Sequence, residues 1–268
     1  MARVLVAAML GLLIAQDPAI AEAGRSIVDL EPRPGVTLRV LIDAPETPAG
    51  AVILFSGGGG VVAIGEEGTI SQGQGNFLVR TRQSWLEQGF LTAVVDAPSD
   101  WHNWQGLGAF RFAAAHANDI AAVIRLVRGR TDRPLWLVGT SRGTLSVVNV
   151  ASRLQTGGPD GIVLTSTMLD TGRGRDDVFL QDLDSIRLPV LIVHHREDGC
   201  IATPARMVPK LAAALVNAPK VDTLLFEGGA PPRGDPCEPF SRHGFLGIEQ
   251  RVIEDIGRWI KANGRQGG

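Results

Sequence analysis

The chain of 268 residues contains no tyrosine and only two cysteines. Without a phenol, any general acid or anion-stabilising donor has to come from another group. Cys200 and Cys237 lie far apart in sequence, which excludes a closely spaced cysteine zinc site and a dense disulfide framework. The 26 basic and 28 acidic residues are interspersed, with no long run of either sign. That distribution argues against a nucleic-acid footprint and against an anionic membrane partner. No apolar segment approaches the roughly 20 residues that a membrane-spanning helix needs. Internal repeats and low-complexity linkers are also missing.

What is present describes an ordinary globular chain, 44% hydrophobic and 20% charged, with a formal net charge of -2. The N-terminus has the pattern of a secretory leader. Arg3 supplies the positive region, residues 4–15 the apolar core, and Ala19-Ile20-Ala21 or Ala21-Glu22-Ala23 a small-residue cleavage site. Residues 1–23 are therefore expected to be a signal peptide and residues 24–268 a single domain, exported to the periplasm or secreted. An oxidising compartment predicts a disulfide between Cys200 and Cys237, with two free thiols as the alternative.

Continuous apolar runs alternate with amphipathic stretches along the mature chain. Strands are expected at 27–30, 36–42, 51–55, 91–95, 135–138, 161–166, 190–194 and 221–226. Helices are expected at 77–88, 112–128, 144–154, 204–216 and 247–262. This alternation predicts an α/β fold, with a mostly parallel sheet of about eight strands covered by helices on both faces. Ligand sites in such sheets form beyond the carboxyl ends of the strands, so the first residues after each strand carry the functional information.

Those positions hold four features. A glycine run, Gly57 to Gly60, follows the strand at 51–55, and the G-x-S-x-G pattern Gly139-Thr140-Ser141-Arg142-Gly143 falls at a strand-to-helix turn. Asp198 follows the strand at 190–194, with Glu197 as a rival carboxylate, and His243 lies in the loop after the last strand. His102, His116 and the pair His194-His195 are competing histidines. The glycine run also fits a dinucleotide fingerprint as Gly58-x-Gly60-x-x-Ala63. It lacks an immediate helix, a ribose-binding acid about 20 residues on, and a P-loop lysine, so no cofactor is expected. No metal is expected at the histidine pair.

In the order nucleophile, acid, histidine, over essentially the whole mature chain, this arrangement resembles the α/β-hydrolase superfamily, specifically serine esterases and dienelactone-hydrolase-like members without a large cap domain. The resemblance implies Ser141 as nucleophile, His243 as base and Asp198 as the acid that orients it. Glu197 would then pair with Arg196 or Arg142. The oxyanion donors implied are the backbone N–H of Arg142 and one from the glycine loop, Gly58 with Gly57 and Gly59 as neighbours; Ser56 stands where a histidine is usual. Residues 168–188 are too few for a large cap, which implies an open site walled by 59–75, 98–110 and 228–242. Gly59, Trp101 and Trp104 are the candidate substrate contacts, the tryptophans being equally suited to capping the core beneath their loop.

These readings imply an exported serine hydrolase acting on carboxylic esters of small molecules through an acyl-enzyme, without a cofactor. Peptidase, amidase or acyltransferase chemistry would use the same residues, and a non-catalytic binding protein on the same scaffold is a further alternative.

Overall fold

The computed structural model describes residues 24–170 and 176–264; the leader expected over residues 1–23 lies outside them. Eight strands form one sheet: β1 (Gly24–Arg33), β2 (Val36–Ala44), β3 (Gly50–Phe55), β4 (Phe90–Val95), β5 (Leu135–Thr140), β6 (Gly161–Thr165), β7 (Val190–His195) and β8 (Val221–Phe226). Their spatial order is β1-β2-β4-β3-β5-β6-β7-β8. The contacts of β1 with β2 and of β2 with β4 are antiparallel, and every later pairing is parallel. The α/β architecture, the strand count and the mostly parallel pairing match the sequence expectation.

Successive side chains on a strand point to opposite faces, so each central strand feeds two cores. On β3, Ala51, Ile53 and Phe55 enter the layer beneath α3 (Ala114–Arg128) and α4 (Gly143–Arg153). Val52 and Leu54 enter the opposite layer, beneath α1 (Phe77–Arg80), α2 (Arg82–Glu87) and α6 (Glu249–Asn263). Burial on both faces explains why these strands read as unbroken apolar runs.

Three helices differ from the sequence expectation. The segment 77–88 is two short helices that meet at Thr81, whose Oγ1 donates to Phe77 O at 2.7 Å and bends the chain there. The helix expected from 112 begins at Ala114, because residues 108–112 form a 3-10 turn and Ala113 is extended. The helix expected over 204–216 contracts to α5 (Val208–Ala214), preceded by a 3-10 turn. Pro209 has no N–H to donate, so it is tolerated only in a first turn.

The strand order places the site. The chain moves outward from β3 to β4 in one direction and to β5 in the other, so the carboxyl ends of β3 and β5 flank a switch point where a crevice opens.

Two buried histidines make stability sensitive to acid. His116 on α3 is 3% exposed, and neither ring nitrogen has a hydrogen-bond partner among the described residues. Burial first, then the nearby Arg111 and Arg33 cations, lower its pKa to about 3. Burial likewise lowers His194 to about 4. Both values are depressed below the unfolded value near 6.5. The unfolded chain therefore takes up protons that the folded state refuses, and stability is lost as pH falls below about 6.5. Urea titrations at pH 7 and pH 5 should differ by about 2 kcal/mol per histidine. His116→Phe, which packs against Phe110 without the two orphan nitrogens, is expected to remove its share; an unchanged pH dependence would refute this account.

Candidate active site

The serine turn depends on close backbone contact. A Cβ added at Gly139 would sit 2.7 Å from Gly143 O, and one at Gly143 would sit 2.2 Å from Phe55 O. No side chain fits at either place, which accounts for both glycines of the motif. Ser141 itself is left-handed, with φ 52°, a strained conformation for a residue with a Cβ. It is held by Ser141 N–H donating to Thr165 O at 3.0 Å and by the Thr144 hydroxyl donating to Ser141 O at 2.6 Å. The Ser141 hydroxyl donates to Met168 Sδ at 3.9 Å. Arg142 directly precedes α4, so helix geometry leaves its N–H without an intrahelical acceptor.

The glycine loop after β3 is gripped from behind. Arg111, 1% exposed, donates from Nη2 to Ser56 O at 3.1 Å, with Gly58 O at 3.5 Å, and from Nη1 to Ser146 Oγ at 2.7 Å. Burial lowers its pKa to about 9, which still leaves the guanidinium charged at neutral pH. A trans peptide sets N–H opposite its own C=O. With the Ser56 and Gly58 carbonyls on Arg111, the N–H groups of Gly57 and Gly59 turn away from it. Farther along, buried Asp96 accepts from the N–H groups of Val62, Ile64 and Ala97 at 2.8 to 2.9 Å and fixes the next stretch of loop.

Asp198 and His243 meet from two loops. Asp198 Oδ2 accepts from His243 Nδ1 at 3.0 Å and from Thr203 Oγ1 at 2.8 Å, while Oδ1 accepts from Cys200 N–H at 2.9 Å. The Asp198 side chain is fully buried. His243 lies in a 3-10 turn, Arg242–Gly244, whose N-cap Ser241 accepts from His243 N–H at 3.1 Å. Its carbonyl accepts from Ser166 Oγ at 2.7 Å. The disulfide Cys200–Cys237 ties the Asp198 loop to the His243 loop.

Ser141 and His243 line one cleft of about 580 Å³. Gly57, Gly58 and Gly59 line it too, with Gln72, Gln74 and Asn76 on one side and Glu238, Pro239 and Phe240 on another. The space beside the Gly58 Cα is open.

Several expected placements are corrected. Glu197 pairs neither with Arg196 nor with Arg142; it faces Arg242 at 3.7 Å. Arg142 bonds Asp176 at 2.8 Å, and Arg196, carried beside the end of β8, pairs with Glu227. The stretch 98–110 does not wall the cleft. It packs on the far side of the glycine loop, where Leu107 N–H donates to Gly59 O at 2.8 Å and Gly106 abuts Gly59. Trp101 accordingly stacks on Phe110, 4.9 Å between ring centroids, and Trp104 is 92% exposed to solvent; neither lines the cleft.

Of the competing histidines, His102 lies 3.4 Å from Asp96, and His194 Nε2 accepts from Thr167 N–H at 2.8 Å. His195 Nδ1 accepts from Glu197 N–H, which leaves its Nε2 to donate to Gly228 O at 3.0 Å. Sequence reading missed Thr203, Ser166, Arg111 and Asn76. Thr203, Ser166 and Arg111 act through contacts made only on folding and belong to no local motif, whereas Asn76 is an N-cap residue at the start of the helical stretch and carried that local signal.

The disulfide closes 37 residues of chain. Cys200→Ser/Cys237→Ser is expected to lower stability by about 3 to 4 kcal/mol through the freed unfolded chain. It should also loosen the Asp198–His243 contact, visible in NMR as broadening of the low-field His243 Nδ1 proton. A sharp, unshifted resonance in the destabilised variant would show that the two loops hold their geometry without the bond.

No protein-family model matches the chain, and no curated protein matches it in sequence. Solved structures do. An esterase from an Arctic intertidal metagenomic library superposes with a TM-score of 0.62 at 16% identity, over 89% of this chain and 93% of that one. A Pyrococcus furiosus esterase gives 0.65 at 14% identity, over 90% and 91%. A Xanthomonas campestris protein described as an a/b serine hydrolase without lid gives 0.57 at 16% identity, over 90% and 97%. The sheet order, the strained serine turn after β5 and these superpositions together establish that the chain has the α/β-hydrolase fold.

Proposed function

We propose that this chain is an exported serine hydrolase that cleaves small carboxylic esters through an acyl-enzyme. The observation that carries the reading is the fully buried Asp198 carboxylate at 3.0 Å from His243 Nδ1, with His243 and the strained Ser141 facing the same cleft. Ser141 Oγ attacks the ester carbonyl while His243 Nε2 accepts its proton. The same imidazolium then returns that proton to the departing alcohol. Asp198 holds Nδ1–H toward itself, selecting the tautomer in which Nε2 is the base, and stabilises the cation that forms. Water repeats the sequence to release the acid. The Arg142 N–H and an amide of the glycine loop receive the oxyanion.

The neighbouring folds named as esterases support ester substrates, and the cleft is consistent with small ones. Its lining mixes carboxamides, backbone and a few apolar side chains around a volume of about 580 Å³. The disulfide and the leader pattern support export.

Hydrolysis of p-nitrophenyl esters from acetate to palmitate tests the reading. The mature protein should prefer short acyl chains, and Ser141→Ala should reduce kcat by about 10⁴-fold or more. Asp198→Asn, which leaves the ring in the wrong tautomer, should cost a comparable factor. Activity that survives Ser141→Ala would place the chemistry elsewhere. An inert wild type that also fails to react with a fluorophosphonate would favour a binding role.

A further inference from the structure

We propose that the side-chain amide of Asn76 is a third donor to the oxyanion, beside the two backbone amides, an inference that rests on the serine-hydrolase reading above. Asn76 caps α1, and its Oδ1 accepts from Leu78 N–H at 3.1 Å. That bond settles which way the amide points, because only the oxygen can face a backbone donor. The Nδ2 group is thereby turned the other way, and the Asn76 side chain makes no other hydrogen bond among the described residues.

Its position follows from Gly57. The point where a Gly57 Cβ would stand is 3.0 Å from Ser141 Cβ and 3.3 Å from Asn76 Nδ2. Serine and amide thus border the same small space, with Ser141 Cβ and Asn76 Nδ2 at most about 6.3 Å apart, and both residues line the cleft. An oxyanion on the carbon bonded to Ser141 Oγ, accepting a hydrogen bond of ordinary length, spans that separation.

The donor is also preorganised. Asn76 N–H donates to Gly73 O at 2.8 Å and Arg80 N–H donates to Asn76 O at 2.9 Å, so backbone and side chain are both fixed before substrate arrives. A donor fixed in advance is not reorganised as charge develops. In a chain without tyrosine, the neutral side-chain donors lining the cleft are hydroxyls and carboxamides, and the Asn76 carboxamide is the one placed against the Gly57 Cα beside this serine.

In the step itself, the Oγ–carbon bond forms and the carbonyl π pair moves onto oxygen. The Ser141 proton passes to His243, and Asn76 shares a hydrogen without transferring it. Asn76 is then a catalytic residue whose contact strengthens as the carbonyl becomes an alkoxide, so its removal should act on kcat.

The variants Asn76→Asp and Asn76→Ser both retain an acceptor for Leu78 N–H and remove the Nδ2 group: aspartate has no donor to offer, and the serine hydroxyl ends one atom short of the Nδ2 position. Labelling of wild-type Ser141 by a fluorophosphonate comes first; absence of label would sink the serine-hydrolase reading and this proposal with it. Given label, Asn76→Ser should lower kcat by roughly 10²-fold or more with KM changed only a few-fold. Affinity for a trifluoromethyl ketone, whose adduct carries the alkoxide, should fall by a similar factor. A kcat within threefold of wild type, or a loss confined to KM, would overturn the proposal while leaving the Ser141 chemistry intact. A measurement without mutation guards against misfolded variants: in the wild-type protein the Asn76 side-chain N–H signals should move downfield when the trifluoromethyl ketone binds. Unmoved signals would overturn it independently.

Discussion

The close approach of two backbones at the switch point is the constraint on which the site depends. Gly143, at the start of α4, lies against Phe55 O at the end of β3, and Gly57 lies against Ser141 Cβ. A methyl group at Gly143 would separate the serine turn from the glycine loop. With that contact made, the first turn of α4, the loop after β3 and the cap of α1 converge on one small volume. Three features distant in sequence, Ser141, Gly57 to Gly59 and Asn76, thereby become neighbours. Strain is concentrated around the cleft: of the four left-handed residues with side chains among the described residues, Ser141 stands in this contact, Ser166 bonds the His243 carbonyl and Phe245 ends the turn that carries His243. Such conformations cost roughly 1 to 3 kcal/mol each and persist only where packing over-determines them.

Around that contact, buried charge fixes loops that the sheet alone would leave free. Arg111 has no carboxylate partner among the described residues; it bonds two carbonyls of the glycine loop and a serine hydroxyl. Desolvating an unpaired guanidinium is expensive, and hydrogen bonds to neutral carbonyls offset it only in part. The arrangement gives up stability to fix the orientation of two peptide units and to set positive charge behind a loop proposed to face an oxyanion. Asp96 performs the opposite task with the opposite charge, gathering the N–H groups of Val62 and Ile64 farther along the loop together with that of Ala97 next to itself.

The fold was legible in the sequence because burial on both faces of a parallel sheet writes itself as continuous apolar runs. The strands at 51–55, 161–166 and 221–226 were locatable to within a residue. The serine turn was legible because its glycines answer a local steric demand. The loops were less legible, since their partners are set by tertiary contact. Nothing near Trp101 announces that its loop docks on Gly59 from the far side. Nothing near Glu197 announces that Arg242 reaches it while Asp176 takes Arg142. Thr203, five residues past Asp198, reads as an ordinary turn residue until its hydroxyl is found at both Asp198 Oδ2 and His243 Nδ1. Histidine is similarly opaque: His116 and His243 are alike as letters, and only folding buries one without partners and gives the other a carboxylate.

Asp198 and His243 both stand on loops outside the sheet, so their 3.0 Å separation has to be maintained by something other than strand register. Three links do so from different directions. The disulfide joins the loops covalently, Thr203 braces the carboxylate from its own loop, and Ser166, at the end of β6, anchors the His243 carbonyl. Ser166 is one residue from Thr167, whose N–H is held by His194 of β7, and two from Met168, whose sulfur contacts the Ser141 hydroxyl. The short stretch 166–168 therefore touches both the serine and the histidine side of the cleft. The strain at Ser166 is intelligible in that light: a left-handed residue there turns the chain off β6 sharply enough to serve both sides, a turn that an extended residue would not make.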